Sequence, residues 1–373
     1  MSTLPCQRAL FDMPPGIAYL DCAAYSPLPR EVSEAGVAGL AGKVRPWARD
    51  RAAGERWTER ARAAAARVVG ARTEDMAVVS SVGHGMAVAL ENLPVAPGSR
   101  LLRIADEFPS VALALDRVAR EREATVDVVP RPDNGDWTGA VLDALCRPGA
   151  PAVSVAALTP LHWTDGGVLD LQAVAPALRA MGAALVVDAT QAAGVLPIDV
   201  QTLQPDFLAF PTYKWLLGPY SLAWLYAAPH RQNGRPLDEH SGNQVEAPAA
   251  RRYDKGERND PAAMPMAALG MELVVGWSPG AVSARLAGIT SAIAGRLSDL
   301  GVAVPPERLR APHILGVRLP GLETAAAAAA LEARGVFVSD RMGALRISPH
   351  VWADEADVAQ FADALAEVMS GET

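Results

Sequence analysis

The feature that most constrains the fold of this chain is a repeated alternation between short apolar runs and helical stretches. Seven runs are rich in apolar residues and lack the period-two pattern of strands that face water on one side. Strands of this kind, separated by helices, form mostly parallel sheets. We therefore predict an α/β fold with a mostly parallel seven-stranded sheet and helices on both faces. The predicted strands are Met76–Ser80, Leu101–Ile104, Val126–Val129, Val153–Ala157, Leu185–Val187, Phe207–Phe210 and Leu222–Tyr226.

A change in composition separates this region from the end of the chain. Residues 229–261 are polar and rich in Arg, Asn, Gly and Pro, which is typical of a linker or of an ordered loop beside a site. A helix around Val282–Leu297 and several short apolar runs follow, a pattern that indicates a smaller α+β domain. We predict an N-terminal segment (1–20), a large domain (21–255) that binds the cofactor, and a small C-terminal domain (256–373).

Composition and charge exclude several classes of protein. The chain has 373 residues and a formal charge of −8 with no basic run, which argues against nucleic acid as a partner. We find no apolar run long enough to span a membrane and no signal peptide within Met1–Pro15. The cysteines Cys6, Cys22 and Cys146 are scattered, so neither disulfides nor a metal site is predicted. A cytoplasmic location is the expectation.

The strongest chemical signal is an aspartate and a lysine that each follow a predicted strand. Asp188 ends the run Leu185–Val187, and Lys214 comes 26 residues later, after Phe207–Phe210. A buried carboxylate needs a cationic partner, and a protonated pyridine nitrogen is one. A lysine in an apolar pocket has a lowered pKa and can form an imine. The pair predicts pyridoxal 5′-phosphate held as a Schiff base on Lys214, with Gln191 donating to the cofactor ring oxygen or phosphate.

Two weaker motifs also follow strands. Val82 and Gly83 begin a predicted helix after the first strand, where backbone N–H groups bind phosphate. Phe108 follows the second strand and is a candidate to stack on the cofactor ring. Taken alone, the first motif is equally compatible with an ordinary glycine turn, and the second with a packed core phenylalanine.

With these residues in view, the chain resembles the class V aminotransferase family, a branch of the fold-type-I pyridoxal-phosphate enzymes. The segments that carry the resemblance are Tyr19–Pro29, Phe210–Pro219, Arg252–Asn259 and Leu345–His350. The resemblance implies that Arg346 binds the substrate carboxylate. It also implies a homodimer with shared active sites, in which the loop Arg252–Asn259 reaches the phosphate of the neighbouring site through Arg258 or Asn259.

Departures from the family pattern narrow the choice within it. Cysteine desulfurases have a histidine before the lysine, another over the ring, and a nucleophilic cysteine in the small domain. This chain has Tyr213 and Phe108 at the two histidine positions and no cysteine after Cys146. It is therefore more similar to kynureninase and to epimerase-like members. Their loop near the ring oxygen resembles the segment with His162 and Trp163, which suggests that the indole N–H of Trp163 donates to the cofactor and that His162 contacts the substrate.

The resemblance implies an enzyme that acts at the α-carbon of an amino acid or a similar small molecule. The name of the family favours an aminotransferase. A β-lyase, resembling kynureninase or a C–S lyase, and an epimerase use the same equipment and remain alternatives. A cofactor-binding protein without turnover is the alternative from a different functional class.

Overall fold

The computed structural model of the chain describes residues 4–243 and 247–371. Its central feature is a seven-stranded sheet in the order β2-β8-β7-β6-β5-β3-β4, which confirms the predicted α/β fold. All neighbouring strands are parallel except β8, which runs antiparallel to β2 and β7. The sheet strands are β2 (Met76–Val79), β3 (Arg100–Ile104), β4 (Thr125–Val129), β5 (Val153–Leu158), β6 (Ala184–Asp188), β7 (Phe207–Pro211) and β8 (Ala223–Ala227).

Both faces of the sheet are covered, which explains why its strands are apolar without alternation. In β2, Met76 and Val78 belong to one apolar core while Ala77 and Val79 belong to another. Successive strand residues point to opposite faces, so each face packs against its own layer of helices. The helices are α1 (Arg30–Val44), α2 (Ala53–Val68), α3 (Val82–Glu91), α4 (Pro109–Glu121), α5 (Trp137–Leu145), α6 (Leu171–Ala180), α7 (Val200–Leu203), α8 (Ala263–Trp277), α9 (Pro279–Asp299), α10 (Thr324–Glu332) and α11 (Glu355–Ser370).

The C-terminal part is built around a second, smaller sheet. Strands β9 (Leu315–Val317), β11 (Ser339–Arg341) and β12 (Ala344–Ile347) form an antiparallel sheet in the order β11-β12-β9. Near it, β1 (Ala18–Tyr19) pairs in parallel with β10 (Val336–Phe337). The predicted N-terminal segment, apart from residues 1–3, which lie outside the described residues, is thus tied to the C-terminal part of the chain.

The predicted domain limits remain a proposal, and helix α8 bears on one of them. It packs against α1 and α2 of the large sheet's outer layer rather than against the small sheet. This packing favours a boundary after Trp277 over one at residue 256. Among the described helices, none is both long and apolar enough to cross a membrane.

Candidate active site

A cavity of about 290 Å³ lies at the carboxyl ends of the central strands, where α/β proteins bind ligands. Strands β6 and β7 are neighbours in the sheet. Asp188 is the last residue of β6 and Lys214 lies three residues after the end of β7, so both line this cavity. Eight of the predicted site residues line it. They are Val82, Gly83, Phe108, Trp163, Asp188, Gln191, Tyr213 and Lys214. The other lining residues are Ser80, Ser81, Glu107, Ser110, Thr159, Thr190, Pro211, Tyr220, Ser221 and Leu222.

Lys214 is the buried lysine of this chain. The sequence contains two others, Lys43 and Lys255, and neither is buried. Lys214 is only 6% exposed. Burial, and next the positive charge of Arg346, lower the pKa of the Lys214 ammonium to about 8. A substantial fraction of this amine is therefore unprotonated and nucleophilic near neutral pH.

Asp188 lies in the same cavity, and within the described chain no cationic group pairs with it at salt-bridge distance. Its Oδ1 atom accepts a hydrogen bond of 2.8 Å from the backbone N–H of Thr190. Burial raises the pKa of the Asp188 carboxyl, and the Thr190 contacts partly oppose this. A protonated ring nitrogen would supply the missing positive partner, so Asp188 fits the pyridine end of the predicted cofactor.

The phosphate of the predicted cofactor is negatively charged and needs hydrogen-bond donors, which the start of α3 provides. Ser81 caps this helix by accepting the backbone N–H of His84 at 3.0 Å. Val82 and Gly83 lie in the first turn, where backbone N–H groups have no intrahelical acceptor. A Cβ atom on Gly83 would lie 3.2 Å from the Cβ of Ser110, so a side chain here would crowd the cavity wall. Backbone donors and small hydroxyl residues therefore form a suitable phosphate site.

The aromatic and amide side chains of the cavity are held by other protein groups. Phe108 and Trp163 meet edge to face with ring centroids 5.6 Å apart. The indole N–H of Trp163, expected to donate to the cofactor, instead donates to the carbonyl of Asp106 at 2.8 Å. The Gln191 amide donates to the carbonyl of Ala23 at 3.1 Å and accepts the indole N–H of Trp215 at 2.8 Å. Trp163 therefore offers the cavity its ring surface, and Gln191 has one N–H left to offer.

Arg346 is buried beside this cavity on β12. Its Nη1 donates to the carbonyl of Trp163 at 3.0 Å, and its Nη2 lies 3.3 Å from Oδ1 of Asp21. Its Nε is buried without a hydrogen-bond partner in the described residues. Burial lowers the pKa of the guanidinium to about 10. A guanidinium with an unused N–H can still donate a hydrogen bond to a carboxylate, which fits the predicted role of Arg346.

Besides Arg346, three predicted residues lie outside the cavity lining, namely His162, Arg258 and Asn259. The ring of His162 stacks on Trp137 at 5.3 Å, and its nitrogens face the carbonyl of Ala105 at 3.1 Å and the hydroxyl of Thr164 at 2.8 Å. Burial lowers the pKa of His162, which makes it a neutral residue held within the protein. The prediction that His162 contacts the substrate has no geometric support here. Arg258 and Asn259 both bind Glu55 on α2 of the same chain.

Ten lining residues were not predicted from the sequence, and Glu107 is the carboxylic acid among them. Its Oε1 accepts the N–H of Phe108 at 2.7 Å, and its Oε2 is buried without a partner in the described part of the chain. Burial, and next the charge of Asp188, raise the pKa of Glu107 to about 8. The sequence carried only a weak signal for it, because Glu107 lies three residues after the end of β3 whereas Asp188 is the last residue of β6. In the described residues, no group of three or more acidic, His or Cys side chains is placed to hold a metal ion.

Comparison with known proteins agrees with this geometry. A family model described as aminotransferase class-V matches residues 18–351. An uncharacterized aminotransferase, YcbU, of Bacillus subtilis is 31% identical over 45% of this chain and 44% of its own length. A kynureninase of Deinococcus radiodurans is 30% identical over 60% of this chain and 54% of its own length. The matched part thus spans about half of these curated relatives. An apo cysteine desulfurase from Thermococcus onnurineus NA1 shares the fold, with a TM-score of 0.87, 20% identity and full coverage of both chains.

Proposed function

This chain belongs to the class V aminotransferase family of pyridoxal-phosphate-dependent enzymes, and we propose that it is an aminotransferase acting at the α-carbon of an amino acid. The observation that carries the proposal is a buried lysine with a lowered pKa that shares one cavity with a buried aspartate. When bound, pyridoxal phosphate supplies an aldehyde that condenses with amines and a ring that withdraws electrons from the α-carbon.

Different residues of the cavity would bind different parts of the cofactor. Asp188 would hold the proton on the ring nitrogen, because no other cation neutralises its carboxylate within the described chain. The first-turn N–H groups of Val82 and Gly83 would bind the phosphate, and Phe108 would pack on the ring. Gln191 would contribute its remaining amide N–H. Arg346 would bind the substrate carboxylate through its planar fork and so orient the α-carbon.

Lys214 would both hold the cofactor and transfer the proton at the substrate α-carbon. Its Nζ would be the attachment point of the cofactor, and the same amine would move the proton at the substrate α-carbon. A pKa of about 8 suits a group that must both take up and return a proton near neutral pH. His162 does not line the cavity, so it is not placed to act as the second base of an epimerase, and this favours an aminotransferase.

A β-lyase is the second candidate. The observation that favours it is the likeness to relatives named kynureninase, together with Tyr213 and Phe108 at the positions where desulfurases have histidine. A lyase and an aminotransferase differ in their products. A lyase releases a fragment of the amino-acid side chain, whereas an aminotransferase passes the amino group to an acceptor keto acid.

The test is a screen of amino acids and keto-acid acceptors that follows cofactor absorbance and products together. An aminotransferase gives amino-group transfer to the acceptor, and a lyase gives side-chain fragments without an acceptor. Borohydride reduction followed by peptide mapping should label the peptide of Lys214. Lys214→Ala should abolish the label and the turnover, whereas Lys255→Ala, the matched control, should retain both. Labelling of Lys43 or Lys255 would refute the assignment.

We further propose a homodimer with shared sites. The helix α1 and the turn after it present Val37, Leu40, Val44 and Trp47, which are 58–82% exposed and follow a helical spacing. Such an unpartnered apolar stripe is typical of an interface. The same helix contacts the chain just past the end of the predicted crossing segment Arg252–Asn259, since Gly39 lies directly against the backbone of Pro261. A second copy on this face would come close to Arg258 and Asn259.

A further inference from the structure

The small sheet presents a second arginine on the same face as Arg346. Strands β11 and β12 pair Ser339 with Arg346 and Arg341 with Ala344. Directly opposed residues of an antiparallel pair point to one side, as do residues two apart in a strand. Arg341 therefore lies on the face of the sheet from which Arg346 reaches toward the active site. The positive charge of Arg341 acts on the active site. After burial, which is the main cause, it contributes to the lowered pKa values of both Lys214 and Arg346.

This face borders a second cavity, of about 530 Å³, beside the first. The same two segments line both cavities. Glu107 and Trp163 line the first cavity, and their sequence neighbours Asp106 and Thr164 line the second. The second cavity lies between these segments of the large domain and the small sheet. It is lined by Asp106, Arg131, Thr164, Asp165, Ala303, Val304, Pro305, Gly316, Val317, Arg318, Arg341, Met342 and Ala344.

The two walls of this cavity differ in charge balance. On the large-domain wall, Arg131 is neutralised by Asp165 at 2.5 Å and Asp106 at 3.7 Å. On the small-sheet wall, neither Arg318 nor Arg341 has a carboxylate within 4 Å among the described residues. The guanidinium of Arg341 donates to the adjacent carbonyl of Asp340 at 2.7 Å, and this residue is partly buried. Arg318 is exposed and lies near the hairpin turn, with Nη1 close to Gly343.

Two arginines without carboxylate partners, in a chain whose net charge is −8, make this wall locally positive and suit it to an anion. A guanidinium fork is suited to a planar carboxylate. A doubly charged phosphate is less suitable, because Asp106 and Asp165 face it across the same cavity.

We propose that the substrate is an amino acid with a second carboxylate on its side chain, which Arg341 and Arg318 bind while Arg346 binds the α-carboxylate. This inference rests on the proposed function and assigns it a substrate class, the amino dicarboxylic acids. Arg341 is the main contact, since it is partly buried on the same face of the small sheet as Arg346, and Arg318 reinforces it from the end of β9.

The direct test measures binding without turnover. Glutarate, a dicarboxylate that has no amino group, is titrated by calorimetry into the cofactor-loaded protein and compared with pentanoate, which has the same chain length and one charge. Glutarate should bind about tenfold or more tightly than pentanoate, the effect of one charge-assisted pair. Arg341→Met should remove most of this difference and Arg318→Met part of it. Arg308→Met, an exposed arginine of the same region, should leave it unchanged.

Arg341→Lys covers the case in which the methionine variant does not fold. It retains the charge and loses the planar fork, so the preference for glutarate should fall but persist. Equal binding of glutarate and pentanoate to the wild type would overturn the proposal. So would an undiminished glutarate preference in Arg341→Met or in Arg341→Lys.

Turnover separates this inference from the proposed function. Aspartate and glutamate should exceed asparagine and glutamine in kcat/KM by about tenfold or more, and Arg341→Met should erase that preference. If neutral amino acids react equally well, the second carboxylate site is wrong while the aminotransferase proposal stands. If no amino acid reacts but glutarate still binds through Arg341, the proposed function fails and the anion site stands.

Discussion

At the scale of single residues, burial is the main cause that shapes the site. The largest cause of the lowered pKa of Lys214 is loss of water, and the same cause raises the pKa values of Asp188 and Glu107. The cavity thus disfavours every isolated charge. An apolar strand before a polar residue reports such burial in the sequence, which is why Lys214 and Asp188 were predictable. Glu107 was not, because the adjacent Asp106, on the same loop, is much more exposed.

Glu107 gives a prediction about stability and pH. Its pKa is about 8 in the folded protein and near 4.5 in the unfolded chain, so between these values the folded state holds one proton more. The unfolding free energy should therefore fall as pH rises from 6.5 to 8, with a contribution from this group of about 1.4 kcal/mol per pH unit at first and about half of that at pH 8. Glu107→Gln should remove that slope in urea denaturation of the cofactor-free protein.

Glu332→Gln is the control for this measurement, because Glu332 is exposed and should leave the slope unchanged. Only the upper half of the histidine titration in the unfolded chain falls within this window, and it is the same in both variants, so it cancels in the comparison. A slope that is the same in Glu107→Gln and the wild type would show that Glu107 is ionised in the fold.

Cys22 gives a negative prediction, although it is buried close to the site. Burial, reinforced by the charge of Asp21, raises the pKa of its thiol well above the usual value, while Lys214 and Arg346 oppose this only in part. A thiol that stays protonated is a weak nucleophile. Supplied with cysteine, the protein should accumulate no stoichiometric persulfide on Cys22, Cys6 or Cys146, as read by mass spectrometry. Persulfide on Cys22 would contradict this and would point to desulfurase chemistry despite the missing C-terminal cysteine.

At the scale of elements, local patterns predicted strands well and long-range pairing poorly. All seven strands of the large sheet were located from apolar runs, because each run is short and bounded by helices. The pairing of β1 with β10 and the packing of α8 on α1 and α2 were not predicted. Such contacts depend on which distant surfaces meet, and periodicity carries no information about that. The turn Met342–Gly343 is a related case, since both residues have positive φ and close a tight hairpin between β11 and β12.

Two neutral histidines tie the C-terminal part to the loops of the cofactor cavity. His313 and His350 place Nε2 at 2.6 Å and 3.1 Å from the carbonyls of Gln191 and Trp215. Burial lowers their pKa values to about 3 and about 4. The unfolded chain takes up these protons first, so stability is present above pH 6.5 and falls as pH drops toward 4.

The expected slope is about 1.4 kcal/mol per pH unit for each histidine. The double variant His313→Gln with His350→Gln should lose stability at pH 7 and show a flatter decline between pH 6.5 and 4.5 than the wild type. Urea denaturation across this range measures both quantities, and an unchanged decline in the double variant would mean that these rings are already charged in the fold.

At the scale of the whole molecule, the position of the loop Arg252–Asn259 raises the question of what completes the active site. The predicted phosphate contacts Arg258 and Asn259 bind Glu55 in their own chain and do not line the cavity that contains Lys214. Sequence reasoning assigned them to the partner's site through family resemblance. A single chain supplies its own Lys214, Asp188 and Arg346, and a two-fold dimer would supply the loop.

Complementation between inactive variants tests the shared site. Lys214→Ala chains are mixed with chains in which both Arg258 and Asn259 are changed to Ala, after mild unfolding to allow exchange. Each parent should be inactive or nearly so, because every site in either dimer lacks the lysine or the phosphate contacts. Random pairing makes mixed dimers about half of the total, and each contains one site with all of its wild-type residues. Up to about a quarter of the wild-type activity per chain should therefore return.

Two controls give the mixing result its meaning. Leu40→Asp places a charge within the exposed stripe of α1 and should shift the protein toward monomer in analytical ultracentrifugation, since burying that carboxylate in an interface is unfavourable. A mixture in which one parent also carries Leu40→Asp should regain less activity, because fewer mixed dimers form. If native mass spectrometry confirms mixed dimers of the two original parents and no activity returns, then Arg258 and Asn259 act within their own chain. Their bonds to Glu55 would then be structural contacts that hold the loop against α2.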